Sequence, residues 1–166
     1  EGGLYERLGA ESGIEAIASR MLDNLAADSR VNAYFPNSTV VRDKLEDCLA
    51  KQIAALAGAP GAEHPGPGDP PDSSGCRNIT EAHRGMGVSA RDMTDFMEIA
   101  ASALQASGVS AADADLLISA MGDMRGDVVE DESNNATLYQ RVGRKPVIKE
   151  VVADLLILML DDATLA

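Results

Sequence analysis

Among the side chains able to act at neutral pH, the two imidazoles come first: His64 and His83. His83 lies in the run "TEAHRGMGVSARDMTDF" (Thr80 to Phe96), one residue before Arg-Gly-Met-Gly and a few residues before a helix start. A neutral imidazole offers one nitrogen lone pair to a metal, and the glycines after it let the chain turn tightly. His83 is therefore either an ordinary polar helix-end residue or a presented metal ligand. His64 sits in a Pro/Gly loop and is expected to be solvated. The two cysteines, Cys48 and Cys76, form no Cys-x-x-Cys pair. Cys48 falls at an apolar position of an expected helix, which suits a buried thiol, with pairing to Cys76 as the alternative. Met21, Met86, Met93, Met97, Met121 and Met124 read as core filling rather than as metal ligands. Asp127, Glu130, Asp131 and Glu132 lack a calcium-loop spacing and read as solvated surface.

The elements that must position these residues are all helical. Ser12-Gly-Ile-Glu15 has the form of a capping box, followed by Ile14, Ile17, Ala18, Met21, Leu22 and Leu25 at helical spacing. Val41, Leu45, Cys48, Leu49, Ile53 and Leu56 line one face of a second helix. The stretch from 58 to 76, "GAPGAEHPGPGDPPDSSGC", admits neither helix nor strand. Asn78 then caps a very short helix. Ser89 to Asp92 and Ser110 to Asp113 repeat the capping pattern ahead of Met93, Phe96, Met97, Ala100, Ala103 and Leu104, and of Leu116, Leu117, Ala120, Met121, Met124 and Val128. No convincing strand is visible, so the class is all-α.

Length and charge narrow the function. With 166 residues the chain can bury one sizeable core. A net charge of −13 opposes binding to nucleic acid or to anionic membranes. The apolar run Leu155 to Leu160 is too short to span a bilayer, so no transmembrane segment is expected. Sequons at Asn37, Asn78 and Asn135, and a start at Glu1, lean weakly towards export or an organelle lumen.

Self-comparison shows a repeat. Leu4 to Asp28, "LYERLGAESGIEAIASRMLDNLAAD", aligns without a gap on Leu138 to Asp162, "LYQRVGRKPVIKEVVADLLILMLDD", at a shift of 134 residues. The organisation expected is a first domain over 2–132, a linker over 133–137, and a partial second copy over 138–166. The helix of that second copy is apolar on all sides and calls for burial.

"GGLYERLGAESGIEAIASRMLDNLAADSRVNAYF" and "ITEAHRGMGVSARDMTDFMEIAASALQASGV" together resemble the truncated haemoglobins, especially group I, over about residues 2 to 131. The resemblance implies a two-over-two helical sandwich around haem b, here with an extra C-terminal helical segment. It implies a first helix near 3–8 and further helices over 12–27, 40–56, 79–84, 89–107 and 110–130, with a turn at 30–35. His83 falls on the proximal iron ligand and Phe35 on the aromatic residue packed against the haem. Leu22, Leu45, Leu49, Val88, Met93, Phe96 and Met97 would supply apolar walls, with Cys48 beside them on the distal side. The chain departs from the family there. Leu22 stands where a tyrosine is common, and Lys44, Asp47 or Cys48 occupy the distal helix positions. Lys44 is the candidate sixth ligand, although such a lysine more often extends to solvent. Lys51 and Gln52 stand where apolar residues usually cover the haem.

Two readings follow. In the first, the chain holds haem through His83 and binds oxygen or another small diatomic ligand, any catalysis being haem redox chemistry such as nitric oxide or peroxide detoxification. In the second, haem-free globin-like units are building blocks that self-associate, or meet neighbouring globin domains, through the C-terminal helix.

Overall fold

The computed structural model describes residues 2–35 and 39–133, together with 152, 153, 155 and 156. Its named elements are α1 (Leu4–Arg7), α2 (Ala10–Ala27), a 3-10 turn (Asn32–Tyr34), α3 (Thr39–Leu56), α4 (Ile79–His83), α5 (Ala90–Ala106), α6 (Ala111–Asp123) and α7 (Arg125–Val128). No strand occurs among the described residues, where a single isolated bridge pairs Ser89 with Asp131. The expected linker and partial repeat lie outside the described residues, apart from Ser133 and the four positions 152, 153, 155 and 156, which are helical. No helix among the described residues is long and apolar enough to cross a membrane.

Helix α2 packs on α3 and on α5, α5 packs on α6, and α3 meets α6. The result is two helix pairs, α2/α3 and α5/α6, closed on one core. Ile14, Ile17, Met21 and Leu25 of α2 meet Ile53 of α3, Leu104 of α5 and Leu117 of α6 there. Ala18, Ala100 and Ala103 are fully buried, so α2 and α5 approach over small side chains. Truncating Leu104 or Leu117 to alanine would open a cavity costing about 2–5 kcal/mol.

Three helix starts follow their local signals. Ser89 and Asp92 form a reciprocal capping box, Ser110 accepts from the Asp113 N–H, and Asn78 accepts from the Glu81 N–H. The start of α2 differs. It begins at Ala10 behind Gly9, with no side-chain cap, so Ser12 already lies within the first turn. The cause is the end of α1: the Leu8 carbonyl oxygen lies 2.1 Å from where a Cβ on residue 13 would stand. Gly13 alone permits that approach, and the helix winds back to meet α1. The last expected helix also divides. It stops at Asp123, and α7 follows as a separate turn packed on α4, where Thr80 Oγ1 donates to Asp127 Oδ1 at 3.0 Å. Gly122 and Gly126 weaken the continuous helix here.

The segment between α3 and α4 holds neither helix nor strand. It is fastened to α3 by a disulfide between Cys48 and Cys76, with Cα atoms 5.4 Å apart. This corrects the expectation of a free buried thiol, since helical periodicity reports a side chain's face and not its bonding partner. His64 is half-buried, and burial pushes its pKa down, whereas the loop composition suggested a solvated side chain. Asn78 is 2% exposed, with its side chain spent on the α4 cap and the Asp69 carbonyl, so this sequon offers no accessible amide.

Candidate functional site

Helix α4 carries the candidate residue at its end. It has five residues, begins at the Asn78 cap and ends at His83. The His83 ring nitrogen Nδ1 lies 2.8 Å from the carbonyl oxygen of Ile79, one turn back. With Nδ1 donating there, Nε2 carries the lone pair, and Nε2 takes no partner among the described residues. A metal bound to Nε2 would find its ligand already oriented by that backbone contact.

The chain beyond His83 is held just as closely. Gly85 and Gly87 adopt φ of 77° and 65°, a region that disfavours side chains with a Cβ. The Glu130 carboxylate accepts from both their N–H groups, and these two bonds, ahead of a charge contribution from His83, hold its pKa below the usual value. The Glu130 N–H in turn donates to the Val88 carbonyl at 2.9 Å. The acidic run after α7 thus clamps the turn that follows His83, a role its composition did not show.

Val88, Met93 and Val128 form a small buried cluster, with Tyr34, Ile79, Phe96, Met97 and Val129 packed against it. Tyr34, Phe96 and Met97 also touch the main core, as do the half-buried Phe35, Leu49 and Met124. Tyr34, Phe96 and Met97 therefore form an apolar seam joining the two clusters, and Ile79 of α4 packs on the smaller one. The edge of the seam is fixed by a polar network. Asp92, 2% exposed, accepts from Tyr34 Oη at 3.0 Å, from Ser89 Oγ at 2.6 Å and from the Ser89 N–H at 3.0 Å. Arg30 anchors the same turn from its other end through Asp28, Glu98 and the fully buried Asp95; the hydrogen bonds to Asp28 and Glu98, with the charges of Asp28 and Asp95 behind them, raise the guanidinium pKa.

The structure brings Leu22, Phe35, Leu49, Phe96 and Met97 onto the main core, and Val88 and Met93 into the adjoining cluster. Leu45 belongs to neither and is 36% exposed. Lys44, Cys48 and Lys51 share a face of α3 that meets the loop. The Lys44 ammonium donates to the Ser74 carbonyl, Cys48 is bonded to Cys76, and Lys51 Nζ contacts Asp47 Oδ2 and Ser74 Oγ at 2.8 and 2.6 Å. The inward polar residue of α3 is Gln52, whose Nε2 donates to Met124 Sδ at 3.2 Å. Sequence reasoning does not single out Tyr34, Asp92 or Glu130 as site residues: Asp92 shows only as half of a capping pattern and Glu130 only as solvated surface, while Gln52 shows as a departure from the apolar cover.

Paired helices around an apolar seam, with one imidazole presented from a minimal helix, define a globin of the two-over-two kind. A model of the bacterial-like globin family matches residues 3–130, and the chain belongs to that family. Among solved structures it is similar to the truncated haemoglobin of Tetrahymena pyriformis in its Fe(III) form, at 25% identity and TM-score 0.64, over 77% of this chain and 98% of that one. A 2/2 haemoglobin of Synechococcus sp., in the cyanomet state with covalently attached haem, matches at 22% identity and TM-score 0.63 over the same shares. The group II truncated haemoglobin of Bacillus anthracis matches at 14% identity and TM-score 0.62, over 82% and 98%. No relative is found among curated proteins.

Proposed function

We propose that this globin holds haem b through Nε2 of His83 and takes a small diatomic ligand at the iron. The observation that carries the reading is the His83 ring itself, with Nδ1 committed to the carbonyl of Ile79, a residue packed on the Val88–Met93–Val128 cluster, and the lone pair left on Nε2. The residues present fit the group. Haem needs one strong axial donor and flat apolar walls, and Phe35, Leu49, Phe96 and Met97 are large side chains left half-buried by the protein alone. Bound haem would supply an iron centre able to hold a diatomic ligand and exchange electrons.

The chain's own residues set the terms for that ligand. Leu22 is 3% exposed and brings no hydrogen-bond donor to the distal side. Gln52 brings an amide whose present acceptor is a thioether sulfur, a weak one. Lys44 and Lys51 are tied to Ser74, which keeps their charge off the seam. Similarity to haemoglobins that carry haem supports the reading over a haem-free scaffold. The test is reconstitution with haemin. A Soret band should form in the intact chain, fade in His83→Ala and return with added imidazole. Absence of the band, or an unchanged band in His83→Ala, would overturn the assignment.

A further inference from the structure

We infer that the Cys48–Cys76 disulfide is a site of exchange with a small external thiol, in which Cys48 is the sulfur attacked and Cys76 the thiolate that leaves. The two cysteines are unequal in access. Cys48 is half-buried on α3, whereas Cys76 is 1% exposed. An incoming thiolate therefore meets Cys48 first. It forms a new S–S bond to Cys48 Sγ as the Cys48–Cys76 bond breaks, and the electron pair of the broken bond leaves on Cys76 Sγ. One disulfide replaces another, so no oxidant is consumed. The reverse step, attack of Cys76 on the mixed disulfide, expels the small thiolate again.

The groups around Cys76 suit a leaving thiolate. Lys44 Nζ lies 3.9 Å from Cys76 Sγ, and Asp47 Oδ2 lies 3.8 Å from it. The ammonium favours the charged sulfur and the carboxylate opposes it. Lys51 tips the balance, because its Nζ contacts that same Asp47 oxygen at 2.8 Å and offsets its charge. Ser74 Oγ, 3.4 Å from Cys76 Sγ, donates its proton to Asp72 Oδ1. Asp72 in turn closes the turn that carries the sulfur. Its Oδ1 accepts from the Cys76 N–H at 2.8 Å, and its own N–H donates to the Cys76 carbonyl at 3.0 Å. Those bonds do not depend on the disulfide, so the departing sulfur stays within reach of Cys48 and the exchange is reversible. The disulfide is also the covalent tie between α3 and the residues leading to the Asn78 cap, so the exchange governs how α3 is joined to the approach to His83. None of this requires haem.

The experiment uses the 166-residue chain in native buffer, with 2-mercaptoethanol as the thiol. Samples are quenched with iodoacetamide and cleaved with trypsin, which separates Cys48 (between Lys44 and Lys51) from Cys76 (between Lys51 and Arg77). The first product should be a mixed disulfide on Cys48, with Cys76 alkylated. Lys44→Gln should slow its formation and Asp47→Asn should speed it, each by about threefold. A disulfide guarded only by the fastening of the loop behaves otherwise: both variants loosen the loop, and both would then react faster. A mixed disulfide mainly on Cys76, variant rates that fail to move in opposite directions, or no product until denaturant is added would overturn the inference.

Discussion

Cys48 in the middle of α3 is bonded to Cys76, two residues before the Asn78 cap of the helix that ends in His83. Helix α3 and the approach to the imidazole are thereby one covalent unit across a loop that has no regular structure of its own. Lys44 and Lys51, one turn to either side of Cys48, add contacts to Ser74 in the same loop.

Removing that bond should loosen the loop and the α4 start together. Its two cysteines are 28 residues apart, and closing a loop of that size stabilises the folded state by roughly 3–4 kcal/mol on chain-entropy grounds. Cys48→Ala, Cys76→Ala should therefore unfold at lower denaturant by about that free energy. Thiol titration of the intact protein should find reactive groups only after reduction. A double variant as stable as the parent would mean that the loop is held by its polar contacts alone.

Glu130 makes the turn after His83 sensitive to acid. Its pKa is held below an ordinary value of 4.5 by the Gly85 and Gly87 N–H groups. A carboxylate depressed in the folded state stabilises it above the unfolded pKa, and that contribution is lost as pH falls through the folded value. Stability should decline as pH drops below about 4.5. Glu130→Gln should be less stable at pH 7 and should show a shallower loss as pH falls below about 4.5. Denaturant midpoints measured across that range decide it: parallel curves for the two proteins would rule the clamp out.

Helix identity and the globin class are legible in the sequence because each rests on local pattern. Capping pairs at Asn78, Ser89 and Ser110 are three-residue relationships, and the apolar stripe of α2 repeats with the helical period. What the sequence hides is contact between distant residues. Glu130 meets Gly85 across 45 positions, Tyr34 meets Asp92 across 58, and Cys48 meets Cys76 across an irregular loop. The early start of α2 belongs with these, since it depends on where α1 places the Leu8 carbonyl. On α3 the side facing the loop and the side facing the core both carry polar and apolar residues, so periodicity alone did not separate Lys44 and Cys48 from Leu49 and Gln52.

The Tyr34 to Asp92 contact should be visible in stability. Asp92 is buried and accepts from Tyr34 Oη, Ser89 Oγ and the Ser89 N–H, so Tyr34→Phe removes one donor whereas loss of the carboxylate removes the acceptor they share. Tyr34→Phe should cost about 0.5–1.5 kcal/mol, the usual worth of one such bond. Asp92→Ala should cost more, about 1–3 kcal/mol, because it removes a buried acceptor shared by several donors. Urea unfolding of both variants tests the order. Equal losses would place the cost in packing around the tyrosine ring and not in the network.

Gln52 offers the sharpest probe of how ligands are treated on the distal side. Its amide is part-buried and donates to the sulfur of Met124, an acceptor too weak to satisfy it. Replacing it with leucine removes a poorly paired polar group from an apolar setting, so stability should hold or rise slightly. If the amide turns to a ligand in the seam, Gln52→Leu should speed ligand dissociation by about fivefold, the equivalent of one neutral hydrogen bond of roughly 1 kcal/mol. Leu22→Val, which changes bulk but no donor, should leave that polar contribution intact. Stopped-flow dissociation in the reconstituted protein, alongside denaturant melts, separates the two effects. An unchanged rate in Gln52→Leu with unchanged stability would assign the amide to Met124 alone and leave the distal side without a hydrogen-bond donor from α3.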